Sequence, residues 1–180
     1  IYLPAPTWAN HHGIFTAASL DVKSYRHFHS ETMGIDFAGL MEDLEKMPEG
    51  ASLLFHASCH NPTGVDPTSQ QWQKIAEVVE RRRLLPVFDF AYQGLGAGFD
   101  EDAAGVREFV SRGLESFVCY SCSKNFGLYA ERTGALFVVG GKSDAIGSQV
   151  RRIIRKSYSN PPCHGARIVR HILGDEGRRD

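Results

Sequence analysis

Lys124 lies in Ser121-Cys122-Ser123-Lys124-Asn125-Phe126-Gly127-Leu128-Tyr129-Ala130-Glu131-Arg132, which puts an amine, two hydroxyls and a guanidinium within twelve residues. The amine can condense with an aldehyde to form a Schiff base. Ser121, Ser123 and Arg132 can hold a dianion. An aldehyde cofactor with a phosphate tail needs these groups together. Upstream, His60-Asn61-Pro62-Thr63-Gly64 has the chemistry of a fixed turn that presents one side-chain amide. Asp89-Phe90-Ala91-Tyr92 follows the apolar run Leu84-Leu85-Pro86-Val87-Phe88, so Asp89 should be poorly solvated unless a cation faces it. A protonated ring nitrogen is such a cation. Tyr92 and Asn61 could then donate to an oxygen on the same ring. Taken singly, Asp89 reads as a loop aspartate capping the next turn, and Asn61 as an ordinary turn asparagine. Tyr92 and Lys124 downstream turn the reading towards a site.

Those clusters need elements to position them. Short apolar runs predict strands at Ile1–Leu3, Tyr25–Phe28, Ser52–His56, Leu84–Phe90, Phe117–Ser121 and Ala135–Val139. Between them, Phe37, Leu40, Met41, Leu44 and Met47 fall at helical spacing behind Asp36, a candidate N-cap. Thr68-Ser69-Gln70-Gln71 reads as a capping box opening a helix with Trp72, Ile75, Ala76 and Val79 on its buried face. Val106, Phe109 and Val110 mark a further helix that stops near Gly113. Strands alternating with helices predict a three-layer α/β/α fold around a mostly parallel sheet. Ligands of such sheets sit beyond the carboxyl ends of the strands, and all three polar clusters follow strand ends.

The 180 residues suffice for one domain with a core, and no linker or repeat divides them. A formal net charge of -1 gives no reason to expect a nucleic acid partner, and no apolar run approaches the ~20 residues that span a bilayer. Arg81-Arg82-Arg83 reads as a helix terminus, where positive charge suits the dipole. Cys119 and Cys122 have CxxC spacing, but at a strand-to-loop junction rather than a helix start. With Cys59 and Cys163 they read as incidental thiols in a reducing compartment. The stretch opens on Ile1-Tyr2-Leu3 without an initiator Met and closes on Gly174-Asp175-Glu176-Gly177-Arg178-Arg179-Asp180, past a helical pattern. Both ends are therefore expected to be cuts, with any targeting segment lying outside.

Other chemistries fit less well. Ser121-x-x-Lys124 with Arg132-Thr133-Gly134 and Tyr158-Ser159-Asn160 imitates the elements of penicillin-recognising acyl enzymes. A step of eight positions from Lys124 to Arg132 leaves no room for an intervening domain, and Ser121 ends a strand instead of starting a helix. His56-x3-His60 lacks the Glu of a zinc-protease helix, and His27 and His29, alternating on a predicted strand, have no third ligand in view. Metal binding is not expected. A non-catalytic fragment or pseudoenzyme module is the alternative from another class.

The combination resembles the fold-type-I pyridoxal-phosphate aminotransferases, and within them the aspartate aminotransferase family. Asn61, Asp89, Tyr92, Lys124 and Arg132 match the family's motifs in order. The resemblance implies that Lys124 anchors pyridoxal 5'-phosphate and that Asp89, Tyr92, Asn61, Ser121, Ser123 and Arg132 bind it. Pro6-Thr7-Trp8-Ala9-Asn10-His11 resembles the segment whose Trp stacks on the cofactor ring, so Trp8 and Asn61 would also meet substrate. His11, His56 and Ser159 match positions that support these residues from behind. Arg155-Lys156-Ser157-Tyr158-Ser159-Asn160-Pro161-Pro162 resembles the aspartate-specific subgroup, in which the Arg crosses from the partner subunit to bind the distal carboxylate. By itself Arg155 reads as an exposed helix arginine. The resemblance thus implies a homodimeric transaminase acting on aspartate and 2-oxoglutarate, cytoplasmic or mitochondrial, with an aromatic amino acid transaminase as the alternative. It also implies that the N-terminal arm, the small domain and the arginine gripping the α-carboxylate lie outside this stretch, which alone is expected to be inactive.

Overall fold

A computed structural model describes residues 1–175 and 177, so residues 176 and 178–180 of the terminal run noted above lie outside the described residues. In chain order the elements are β1 (Tyr2–Ala5), α1 (Asn10–Ala17), β2 (Lys23–Arg26), the short β3 (Phe28–His29) and β4 (Gly34–Ile35), α2 (Phe37–Lys46), β5 (Ser52–His56) and α3 (Ser69–Arg81). There follow β6 (Leu85–Phe90), α4 (Ala104–Ser111), β7 (Ser116–Ser121), β8 (Gly134–Val139), α5 (Ser143–Ser157) and α6 (His164–Leu173). Six strands form one sheet in the order β2-β1-β5-β6-β7-β8. Every pairing is parallel except β7 with β8.

The helices start where local chemistry starts them. The Asp36 carboxylate accepts the Gly39 N–H at 2.9 Å and opens α2, which buries Leu40 and Leu44. At α3 both bonds of the capping box form: Gln71 N–H donates to the Thr68 hydroxyl at 3.2 Å, and Thr68 N–H donates to the Gln71 side chain at 2.9 Å. The α3 face bearing Trp72, Ile75, Ala76 and Val79 is buried, as its spacing predicts. Past α4 the chain reverses at Gly113, whose φ of +68° favours glycine.

Phe55 of β5, Phe88 of β6, Trp72 of α3 and Phe109 of α4 meet largely edge to face, with ring centroids 5.1 Å apart for Phe88 and Phe109 and 5.4 Å for Phe55 and Trp72. Along β6 the alternation sends Pro86, Phe88 and Phe90 into this core and leaves Leu85, Val87 and Asp89 half-buried on the opposite face. That parity is the step from fold to site. It turns Asp89 away from α3 and α4 and towards α1.

One predicted strand is corrected. Tyr25–Phe28 is not a single strand: the ladder with β1 ends at the pair Ala5–Arg26, and Phe28–His29 pairs antiparallel with β4. Pro6 follows Ala5 and has no N–H to extend the ladder. His27 leaves the sheet there, so His27 and His29 do not alternate on one strand.

Candidate active site

β5, β6 and β7 are parallel and in register, with His56 opposite Asp89 and Phe90 opposite Tyr120, so their carboxyl ends share one edge. The chain leaves β5 into the turn carrying Asn61, leaves β6 towards Tyr92, and leaves β7 towards Lys124. The Lys124 amine lies 4.7 Å from the centre of the Tyr92 ring, and the Asn61 amide nitrogen is 3.5 Å from the Tyr92 hydroxyl. These three side chains, far apart in sequence, therefore converge.

Behind them runs a chain of hydrogen bonds whose direction is set at one end. The backbone N–H of Asn61 donates to His56 Nδ1 at 3.2 Å, which leaves the His56 hydrogen on Nε2. His56 Nε2 meets the Thr7 hydroxyl at 3.1 Å, Thr7 meets His11 Nδ1 at 2.8 Å, and His11 Nε2 meets Asp89 Oδ2 at 3.1 Å. One hydrogen per link satisfies the whole run, and it ends on the Asp89 carboxylate. Burial pushes the pKa of His56 down to about 4, with Asp89 opposing the shift and the neighbouring histidines adding to it. Asp89 Oδ1 has no donor among the described residues.

The segment after β7 returns antiparallel as β8, with Cys122 N–H donating to the Thr133 carbonyl at 3.0 Å. The outgoing Ser121 and Ser123 thus stand beside the returning Arg132. Ser123 N–H donates to the Ser121 hydroxyl at 3.2 Å. Arg132 is exposed, holds a φ of +51°, and donates to the Tyr129 carbonyl at 3.0 Å. Two hydroxyls and a guanidinium at one strand exit make an arrangement able to grip a dianion.

Trp8 stands at the same edge just ahead of α1, edge-on to His11 at 5.2 Å and 42% exposed. Arg155 is different. It lies in the last turn of α5, exposed, and donates to the hydroxyl of Ser159. Its hydrogen bond stays within α5 and the turn that follows, so the fold of one chain does not join it to the cluster. The acyl-enzyme reading falls on geometry: Ser121 ends β7, and Lys124 follows in a turn.

Sequence reasoning missed Thr7, the link between His11 and His56, and Asp66. Asp66 accepts the N–H groups of Cys59 at 2.6 Å and His60 at 2.9 Å, anchoring the turn that carries Asn61. A Thr four residues before His11 and an Asp two residues after Gly64 were the available signals.

A mostly parallel sheet with an amine, a carboxylate held by a histidine, and two hydroxyls beside a guanidinium at its carboxyl edge matches a known class. The sequence profile of the family described as aminotransferase class I and II matches residues 1–180, and the chain belongs to that family. The chain is 52% identical over 179 residues to the cytoplasmic aspartate aminotransferase of Oryza sativa subsp. japonica, covering 97% of this chain and 44% of that protein. It is 50% identical to the chloroplastic aspartate aminotransferase of Arabidopsis thaliana, again over 97% of this chain but 40% of the relative, so it spans less than half the length of these relatives. Among solved structures, an aromatic amino acid aminotransferase of Burkholderia pseudomallei, covalently bound to pyridoxal phosphate, superposes with a TM-score of 0.96. It is 41% identical, and the likeness covers 99% of this chain and 45% of that one.

Proposed function

We propose that this chain forms the pyridoxal-phosphate-binding core of an aspartate transaminase, which exchanges amino groups between L-aspartate and 2-oxoglutarate to give oxaloacetate and L-glutamate. The convergence of Lys124, Tyr92 and Asn61 on one sheet edge with Asp89 carries this reading. Asp89 suits the cofactor because His11 occupies Oδ2 while Oδ1 keeps its acceptor capacity, as a protonated ring nitrogen requires. When bound, pyridoxal phosphate supplies an electron sink for charge developing at the substrate Cα. Asp89 would hold the ring nitrogen, Asn61 and Tyr92 the ring oxygen, and Ser121, Ser123 and Arg132 the phosphate. Trp8 would cover the ring and exclude water. Lys124 would hold the aldehyde carbon and then move the Cα proton as a general base.

In a homodimer, the exposed Arg155 of one subunit would bind the distal carboxylate of substrate in the partner's site, and Ser159 would orient it. The curated relatives at 50% and 52% identity are aspartate aminotransferases, which supports the dicarboxylic substrate, although a solved aspartate enzyme at 40% and the aromatic one at 41% are equally similar to this chain. Adding pyridoxal phosphate to the purified protein should produce a visible absorbance band that borohydride abolishes, with the label on Lys124. No band, or a label on another lysine, would reject the reading and leave the non-catalytic alternative.

A further inference from the structure

His27 has no part in the chemistry above, yet it is 4% exposed and lies face to face with His60, ring centroids 3.9 Å apart and planes 15° apart. On its other side the His60 ring is 4.2 Å from that of His56. His27 Nε2 donates to the Val65 carbonyl at 2.9 Å, just past the turn that His60 opens. His60 Nδ1 meets the Thr63 hydroxyl at 2.9 Å, and its Nε2 is buried without a partner among the described residues. The imidazole of His27 therefore touches both ends of the segment that presents Asn61.

Burial disfavours charge on both rings of the stack. A proton added to His60 would leave a charged N–H at Nε2 buried with no acceptor. Burial and then the neighbouring His27 and His56 push its pKa down to about 2. The groups facing the pair are Asp66 with the Cys59 thiol on the turn, Asp102 beyond Asp66, and His56, His11 and Asp89 behind His60. The hydrogen bond to the Val65 carbonyl, and after it the Asp66 carboxylate, partly oppose the lowering of the His27 pKa by burial.

We propose that His27 is a positioning residue for Asn61, bracing the 60–65 turn through its stack on His60 only while both rings are uncharged, so that protonating His27 loosens Asn61 from Tyr92. The proposal rests on the cofactor reading only for the task it gives Asn61; the brace belongs to this chain alone. An NMR pH titration that follows the imidazole signals and the Asn61 side-chain amide together tests it. In the native protein the Asn61 amide should shift in the same step as the His27 ring. His27→Phe, which keeps a flat uncharged ring, should hold Asn61 at its neutral-pH position until His56 titrates near 4. His27→Ala should displace the Asn61 amide already at neutral pH. An Asn61 signal that ignores His27 titration, or that moves identically in His27→Phe, would overturn the proposal. If His27→Ala fails to fold, the other two titrations still decide. Pyridoxal phosphate binding is measured separately: failure to bind with the Asn61 step intact rejects the cofactor reading and leaves the brace standing.

Discussion

The Lys124 amine stands over the face of the Tyr92 ring, 4.7 Å from its centroid, which orients the amine before any ligand arrives. A cation over an aromatic face is worth about 0.5–1 kcal/mol at a partly exposed site. Ring-current shifts on the Lys124 methylene protons report the contact. Tyr92→Phe should preserve those shifts, since the face remains, while Tyr92→Leu should abolish them and cost about that much stability. Unchanged shifts in Tyr92→Leu would mean that the amine does not rest on the ring.

Asp89→Asn tests the carboxylate without removing a partner for His11, because the amide oxygen can still accept at 3.1 Å. Losing charge assistance at the ring nitrogen should weaken pyridoxal phosphate binding about 10- to 100-fold, matching the ~1.5–3 kcal/mol of a hydrogen bond to a charged group. Equilibrium dialysis against the cofactor gives the ratio. Equal affinities would place Asp89 outside the cofactor site.

Acid should unfold this chain through its buried histidines. His56 and His60 have pKa values of about 4 and about 2, against 6.5 for an ordinary imidazole, and burial is the leading cause for both. As pH falls from 6.5 towards 4, the unfolded chain takes up protons on both rings that the folded chain refuses. Stability is therefore present above pH 6.5 and lost below it, by about 1.4 kcal/mol per pH unit for each ring. Urea unfolding at several pH values measures the slope, and His56→Gln should lessen it by one ring's share. A flat profile between pH 7 and 5 would show that these rings titrate normally.

What was legible in the sequence was local. The strand Ser52–His56, the Asp36 cap and the Thr68–Gln71 capping box rest on residues within a few positions of one another, and the structure has each of them. The shared edge of Asn61, Tyr92 and Lys124 was also legible, because parallel strands impose it once the strands are known. Thr7 and His27 were not. Thr7 bonds His56 across 49 positions, and His27 bonds Val65 across 38. No spacing rule reaches that far. His27 was read as strand because Tyr25-Arg26-His27-Phe28 has strand-like residues, and the end of the β1 ladder overrode that preference.

Two glycines should resist even a methyl group. A Cβ at Gly105 would lie 2.6 Å from Trp72 Cε2, where α4 crosses α3, and one at Gly134 would lie 2.4 Å from the Tyr120 carbonyl oxygen, where β8 pairs with β7. Trp72 is buried among aromatic rings and has little room to move, so Gly105→Ala should cost about 1–3 kcal/mol. Gly134→Ala meets backbone and should cost at least as much. Because Gly134 sits opposite Ser121, it should also disturb the hydroxyls at the strand exit. Denaturant midpoints with unchanged slopes would measure the losses. Native midpoints would show that the sheet and helices give way easily.

Arg155→Ala separates the substrate classes in the full-length protein. The side chain is exposed, and its recorded partner is the Ser159 hydroxyl, so within one chain it supports little and its loss should leave stability nearly unchanged. Across a dimer it would face the distal carboxylate of the substrate, where losing one member of a buried charge pair costs about 3–5 kcal/mol. The kcat/KM for aspartate should fall by at least about a hundredfold, while that for phenylalanine, which has no distal carboxylate, should change little. Arg155→Lys should recover only part of the loss, because an ammonium lacks the planar fork that meets a carboxylate with two parallel bonds. Mixing Arg155→Ala with Lys124→Ala subunits tests the crossing directly. In the mixed dimer, one site keeps its own Lys124 and receives an intact Arg155 from its partner, so aspartate activity should reappear. If mixing restores none, Arg155 serves its own subunit or no site at all.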